Sequence, residues 1–256
     1  MKIRYTTIIN MPRTILVSGA SSGLGFAFVK AFAQKSSDTI IACDKDPFPR
    51  ERLQETSSGK QAEIQSHIVD VTSESSIQNL STSLADTTID LVLHSAGIRG
   101  LVPEVENAQP NDVAACETLP VMNLDTLMRT FHINAAGTFM LLRALLPNLK
   151  RASDAKVVVM SSRMGSVGRN VAGSAYAYRA SKAALNIMVK SMSIDVPQVA
   201  FILCHPGRVE TNLVRSREEG AITGDESVSG LLPLIAKWDK DDSGKFYDRF
   251  GDPIEW

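Results

Sequence analysis

Thr14-Ile-Leu-Val17 runs directly into Ser18-Gly-Ala-Ser-Ser-Gly-Leu-Gly25, and Phe26 to Gln34 follows as a helix-forming stretch. A short apolar, β-rich run, a glycine loop and a helix in that order suit a phosphate cradle. Glycine permits the tight turn and the close backbone approach, and a helix N-terminus offers free N–H groups and a positive dipole end. Gly19, Gly23 and Gly25 make Gly-x-x-x-Gly-x-Gly, a different spacing from the common Gly-x-Gly-x-x-Gly. A plain strand-to-helix turn is the alternative reading, and the loop's place after the first strand favours the cradle.

Outward from this stretch the pattern repeats. Thr39–Cys43, Ile64–Val69, Asp90–Leu93, Lys156–Met160 and Val199–Cys204 read as strands. Polar or turn residues follow them: Asp44, Asp70, His94-Ser-Ala-Gly97, Ser161-Ser162 and His205-Pro-Gly207. Helix-like stretches at Ser73–Ala85, Leu124–Leu149 (with Gly137 inside) and Ala177–Ile194 lie between them. Almost wholly apolar strands alternating with helices predict an α/β fold, a single doubly wound domain with a mostly parallel sheet and helices on both faces. Such sheets bind ligands at the C-terminal ends of their strands. The domain is expected over residues 13–256, with 1–12 as a flexible leader.

Bulk properties narrow the function classes. The chain has 256 residues, 44% hydrophobic and 21% charged, as in an ordinary soluble globular protein. A net charge of −1 with scattered basic residues argues against nucleic acid and against an anionic membrane surface. No run is long enough to span a bilayer, and the start lacks a signal peptide's apolar core and cleavage site. Cys43, Cys116 and Cys204 are far apart and odd in number, which fits buried thiols in a reducing, cytoplasmic compartment. His67, His94, His132 and His205 have none of the short spacings of a zinc site, so no metal is expected.

Two further features carry chemistry. Asp44 stands nineteen residues beyond Gly25, at the end of the second strand. A carboxylate there accepts hydrogen bonds from adenosine ribose hydroxyls and repels a 2′-phosphate, favouring NAD(H). Lys45 pulls the other way and keeps NADP(H) open; a polar turn is the plainer alternative. Tyr178 and Lys182 stand four apart in Tyr-Arg-Ala-Ser-Lys, on one helical face. A phenol with a reference pKa of about 10 moves protons poorly near neutrality. An ammonium at roughly 4 Å and an effective dielectric near 20 offers about 4 kcal/mol, enough for a downward shift of one to three units. Alone, the pair reads by default as a core-edge tyrosine beside a solvated lysine.

Taken in order, Ser18–Gly25, Asp70-Val71, Ser95-Ala-Gly97, Asn134, Ser162, Tyr178-x-x-x-Lys182 and Pro206-Gly207 resemble the motif series of the short-chain dehydrogenases/reductases. The resemblance runs from about residue 13 to the C-terminus. Ser161–Ser166, Tyr176–Asn186 and the ending Ser243–Trp256 are similar to the C-factor-like and sniffer-like carbonyl reductases. The resemblance implies a Rossmann fold and a tetrad. Tyr178 would be the general acid or base, and Lys182 would lower its pKa and hold the nicotinamide ribose. Ser162 would bind the substrate oxygen, and Asn134 would hold a relay water behind Lys182. It implies that Ser18, Gly19, Ser21, Ser22, Gly23, Leu24 and Gly25 cradle the pyrophosphate, with Asp44 and Lys45 at the ribose. Asp70 and Val71 would flank adenine, and Ser95, Ala96 and Gly97 would run along the cofactor. Pro206, Gly207, Val209 and Thr211 would border the nicotinamide. The expected reaction interconverts a small-molecule carbonyl and an alcohol, in a homodimer or homotetramer packed through the helices bearing Asn134 and Tyr178.

Departures from the family pattern mark the open points. Ser18 replaces a frequent threonine but keeps a hydroxyl. His94-Ser95 replaces Asn-Asn and removes amides that brace the central strands. Sixteen residues separate Ser162 from Tyr178, more than usual, so Ser161 and Ser166 remain rivals to Ser162. Asp44-Lys45 departs from the arginine this branch often carries at the second position. Ile98–Asn123, with Pro103, Pro110 and Pro120, is a long connection that could line a substrate pocket, make an oligomer contact, or be a surface insertion. The segment with Arg215, Arg217, Glu218 and Glu219 corresponds to the family's substrate lid and is short. The alternative function is a dinucleotide-binding signalling or regulatory protein with incidental catalysis.

Overall fold

The computed structural model describes residues 12–34, 38–53, 62–216 and 219–256. The expected leader falls outside these residues except for Pro12, as do Arg217 and Glu218 of the expected lid. In chain order the main elements are β1 Thr14–Ser18, α1 Gly23–Ala33, β2 Thr39–Asp44, β3 Glu63–Ile68, α2 Glu74–Ser83, β4 Leu91–His94 and α3 Pro103–Ala108. They continue with α4 Leu124–Phe131, α5 Thr138–Leu149, β5 Lys156–Met160, α6 Tyr176–Asp195, β6 Ala200–His205, α7 Gly224–Lys237 and β7 Phe246–Asp248.

The strands form one sheet in the order β3-β2-β1-β4-β5-β6-β7. Every pairing is parallel. Alternate residues of each strand enter opposite cores. Leu16, Ile41, Val92, Val157, Val159, Phe201 and Leu203 join a core with Leu80, Leu141, Leu145, Leu185 and Val189, from α2, α5 and α6. Ile15, Val17, Ile40, Leu93, Val158, Ile202 and Cys204 join the opposite core with Phe28, Val29 and Phe32 of α1 and Leu231 and Ile235 of α7. Each buried Val, Leu, Ile or Phe contributes about 1.5–3 kcal/mol, and only a sheet covered on both faces can bury both sets. The doubly wound Rossmann architecture follows from that pattern.

All six expected strands form, with ends displaced by at most one residue. The structure adds β7, a three-residue strand paired to β6, and the helices α3 and α7. The expected helix Leu124–Leu149 is divided: α4 and α5 are joined by a π-helical turn at His132–Gly137. A Cβ at Gly137 would lie 2.7 Å from the Val71 carbonyl oxygen, so the loop after β3 presses on this turn. The wider π turn carries Asn134, which becomes important below.

The strand order reverses between β1 and β4. Chain leaving β1 crosses to one side and chain leaving β4 to the other, which opens a crevice over their C-terminal ends. Ser95 N–H donates to the Ser18 carbonyl at 2.9 Å, and Gly19 N–H to the Cys43 carbonyl at 2.9 Å, holding the crevice floor together.

Candidate active site

A cleft of about 530 Å³ occupies this crevice. Its walls come from the ends of β1, β2, β4, β5 and β6, the loops after them, and α6. Ser18, Gly19, Ser21, Ser22, Gly23 and Leu24 line one end with Asp44, Lys45, Asp70 and Val71. Ser95, Ala96 and Gly97 line the middle. Ser161, Ser162, Tyr178, Lys182, Pro206, Gly207, Val209 and Thr211 line the rest. Gly25 and Asn134, also expected at the site, are not on the cleft wall.

Glycine is required where backbone meets backbone. Gly19 has φ +77°, and a Cβ there would lie 2.7 Å from the Ala96 nitrogen. At Gly25 a Cβ would lie 2.0 Å from the Gly19 carbonyl oxygen, so this glycine seats the first turn of α1 on the loop from behind. Ser22, the residue that opens α1, makes no side-chain capping bond. The first-turn N–H groups therefore have no acceptor from the cap and suit an anion.

Asp44 grips the loop. Its Oδ2 accepts from the Ser21 N–H at 2.9 Å and from the Ser21 hydroxyl at 2.7 Å. Arg52, which sequence reading missed, donates to the Ser21 carbonyl at 3.4 Å and stacks over Phe26 at 4.3 Å. Asp70 accepts from the Thr72 hydroxyl and N–H at 2.7 and 2.8 Å, and those bonds hold its carboxyl below the usual range.

At the other end Tyr178 and Lys182 are both buried, one turn apart on α6. The Lys182 ammonium donates to the Met160 carbonyl at 3.0 Å and lies 5.8 Å from the Tyr178 ring centroid. Burial pulls its pKa down to about 8, so it keeps its proton at neutral pH and loses it as pH rises through that value. Ser162 accepts from the Met164 N–H at 3.2 Å, capping a short turn at Arg163–Gly165. Its rivals are otherwise engaged. Ser161 donates to Asn186 Oδ1 at 2.6 Å, and Ser166, buried off the cleft wall, accepts from the Arg169 N–H.

Asn134 is fully buried, and its carboxamide is spent on bracing. Oδ1 accepts from the Ile98 N–H at 2.8 Å, while Nδ2 donates to the Ile98 carbonyl at 2.9 Å and to Ser181 at 3.0 Å. His94 supplies part of what the missing amides would: its Nε2 lies 2.8 Å from the Thr138 hydroxyl, which donates to the Asn134 carbonyl at 2.9 Å. Burial, with the Lys182 charge, pushes the His94 pKa down to about 3 and keeps the ring neutral. His205 lines the cleft, and burial pulls its pKa down to about 4.

The long connection after β4 is part of the site. Arg99 lines the cleft, pairs with Glu117 through two bonds of 2.9 Å, and lies 5.0 Å from the Tyr178 ring centroid. The only sequence signal for Arg99 was its place two residues after Gly97. Glu117 had none, because its partner is distant in the chain.

A family model described as short chain dehydrogenase matches residues 13–221. C-signal of Myxococcus xanthus is 34% identical over 177 residues, 68% of this chain and 97% of that protein. The chain is a member of the short-chain dehydrogenase family. As such it is an oxidoreductase, and within the family it sides with the C-factor-like and sniffer-like branch. The NADPH-bound carbonyl reductase from chicken fatty liver superposes with a TM-score of 0.78 at 25% identity, over 96% of this chain and 99% of that one. Carbonyl reductase Sniffer of D. melanogaster superposes with a TM-score of 0.77 at 25% identity, over 96% and 100%. Among the described residues of this short-chain dehydrogenase no helix is long and apolar enough to cross a membrane.

Proposed function

We propose that this enzyme interconverts a small-molecule carbonyl and an alcohol, with a nicotinamide dinucleotide held in the cleft and Tyr178 as the proton donor or acceptor. The observation that carries the reading is the pairing of two ends. One cleft joins a glycine loop with uncapped helix N–H groups to a buried tyrosine, lysine and serine. When bound, the dinucleotide supplies or accepts the hydride. In reduction Tyr178 gives its hydroxyl proton to the carbonyl oxygen as the alcohol forms, and in oxidation it takes that proton back. Lys182, still protonated at neutral pH, stabilises the phenolate left on Tyr178. Ser162, the least committed of the three serines, orients the substrate oxygen. Asn134 would hold a relay water only through its main-chain carbonyl, since its carboxamide is occupied.

The finer assignments follow the same logic. Asp44 at the end of β2 favours NAD(H), and Lys45 beside it leaves NADP(H) usable. The chicken reductase carries NADPH. A homo-oligomer is supported by exposed apolar side chains on two helices, Leu124 and Met128 on α4 and Ile187 and Ile194 on α6. Three free, buried cysteines favour a reducing cytoplasm, which fractionation of the native protein would check.

The test is Tyr178→Phe. It keeps the ring and removes only the proton, so turnover should fall by at least about a thousandfold while dinucleotide binding persists. Near-wild-type rates on the best substrate would remove Tyr178 from the mechanism. The similarity to C-signal supports a second reading, a dinucleotide-binding signalling protein. Cofactor oxidation against assorted aldehydes, ketones and quinones separates the two.

A further inference from the structure

Arg99 and Glu117 stand where no motif of the chain assigns a role. Arg99 follows β4, and its guanidinium carbon lies 5.0 Å from the centroid of the Tyr178 ring. Its Nε and Nη2 each donate to a Glu117 carboxylate oxygen at 2.9 Å, a bidentate geometry that fixes the plane of the fork. Nη1 donates to Met164 Sδ at 3.3 Å. The Arg99 side chain is 15% exposed and that of Glu117 9%. A held, largely desolvated cation over an aromatic face is worth far more than a solvated one.

Glu117 does a second job through its backbone. Ser174 and Ala175 have φ values of 56° and 50°, two consecutive left-handed residues that are not glycine. This strained pair is the entry to α6, three residues before Tyr178. From outside the helix the Glu117 carbonyl holds the pair, accepting from the Ala175 N–H at 2.9 Å and from the Ser174 hydroxyl at 3.0 Å, while Arg179 of α6 donates to the Ser174 and Ala175 carbonyls. One residue of the long connection therefore anchors the start of the tyrosine's helix and the cation above the tyrosine's ring.

We propose that Arg99, oriented by Glu117, is a positioning residue that acts through Tyr178. It is a second cation, beside Lys182, that favours the phenolate and fixes the ring against the substrate. The inference rests on Tyr178 being the proton donor. Among the described residues, the titratable and charged groups around this end of the cleft include Lys182 on α6, Arg99 after β4, Glu117 on the turn Ala115–Glu117 and the exposed Arg163 after β5. They also include the buried His94 at the end of β4, the half-buried His205 at the end of β6, and Asp248 and Arg249 beside His205. Arg99 lies nearer the ring centroid than the Lys182 ammonium, 5.0 against 5.8 Å. On this proposal, removing Arg99 shifts the phenol's ionisation upward, with Glu117 offsetting part of the cation's charge.

The chain has four tyrosines, so Tyr178 is read as a difference. Tyrosinate absorbance is titrated for each protein and for the same protein carrying Tyr178→Phe. Arg99→Met should raise the Tyr178 midpoint by about one unit. Arg99→Met with Glu117→Gln, which leaves no buried carboxylate unpaired, should raise it as well. Arg99→Lys should stay nearer wild type, because it keeps the charge and loses the fork. A midpoint that does not move in either methionine protein overturns the proposal, as does a lysine protein that shifts as far as the methionine one. Reduction of 4-nitrobenzaldehyde with NADH and NADPH tests the underlying reading separately. If Tyr178→Phe keeps its rate on that probe, the tyrosine mechanism fails, whatever the titrations show.

Discussion

Asp44 stands at the end of β2, against the glycine loop. One of its oxygens takes both the N–H and the hydroxyl of Ser21, so its negative charge is fixed at the rim of the glycine loop. On the proposed reading, a ribose 2′-phosphate brought to that rim would meet the charge, while ribose hydroxyls would find an acceptor. The enzyme should accordingly show a higher kcat/KM with NADH than with NADPH. Asp44→Asn should move that ratio toward NADPH by about tenfold or more, the equivalent of about 1.4 kcal/mol. Steady-state kinetics with both cofactors decide the matter, and a wild-type preference for NADPH would refute it. Asp44 was legible in the sequence because its signal is local, an acid closing an apolar run after a glycine loop. Arg99 and Glu117 were not, because eighteen residues of chain separate them and only folding brings them together.

At the scale of elements, the strand–loop–helix unit that opens the fold is a packing device as much as a binding one. Gly25 does not touch the cleft, yet its missing Cβ lets α1 sit against the Gly19 carbonyl. Gly25→Ala should destabilise the protein by about 2–3 kcal/mol through overpacking. It should also weaken NADH binding at least about tenfold, because the loop must open to admit the methyl group. Denaturant unfolding and fluorescence titration report the two effects, and a protein unchanged in both would mean the loop yields freely. Strands were readable because a parallel sheet buried on both faces leaves continuous apolar runs. The π turn at His132–Gly137 was not, since the Val71 carbonyl packed close against it at Gly137 is distant in the chain and is met only after folding. Strand β7 has three residues and no period to detect. Helix α7 contains Gly230 and Pro233, which read locally as breakers and are tolerated because Leu231 and Ile235 are buried against the sheet.

For the molecule as a whole, the apolar residues left outside are as informative as those inside. Helices α4 and α6 pack against each other and expose Leu124 and Met128 on one and Ile187 and Ile194 on the other. If a second copy covers the exposed side of α6, Ile187→Glu should shift the protein to monomers in sedimentation at micromolar concentration. An unaltered sedimentation coefficient would place the oligomer contact elsewhere. The sequence by itself determined the α/β class, six of the seven strands and most of the residues that line the two ends of the cleft. Those signals lie in runs of a few residues whose hydrophobicity and turn chemistry act locally. Tertiary structure alone decided which serine is least committed, that Asn134 is spent on Ile98, and that the connection after β4 belongs to the active site. Each of these depends on which distant groups meet once the sheet has twisted and the helices have packed, and no local pattern encodes a partner that far along the chain.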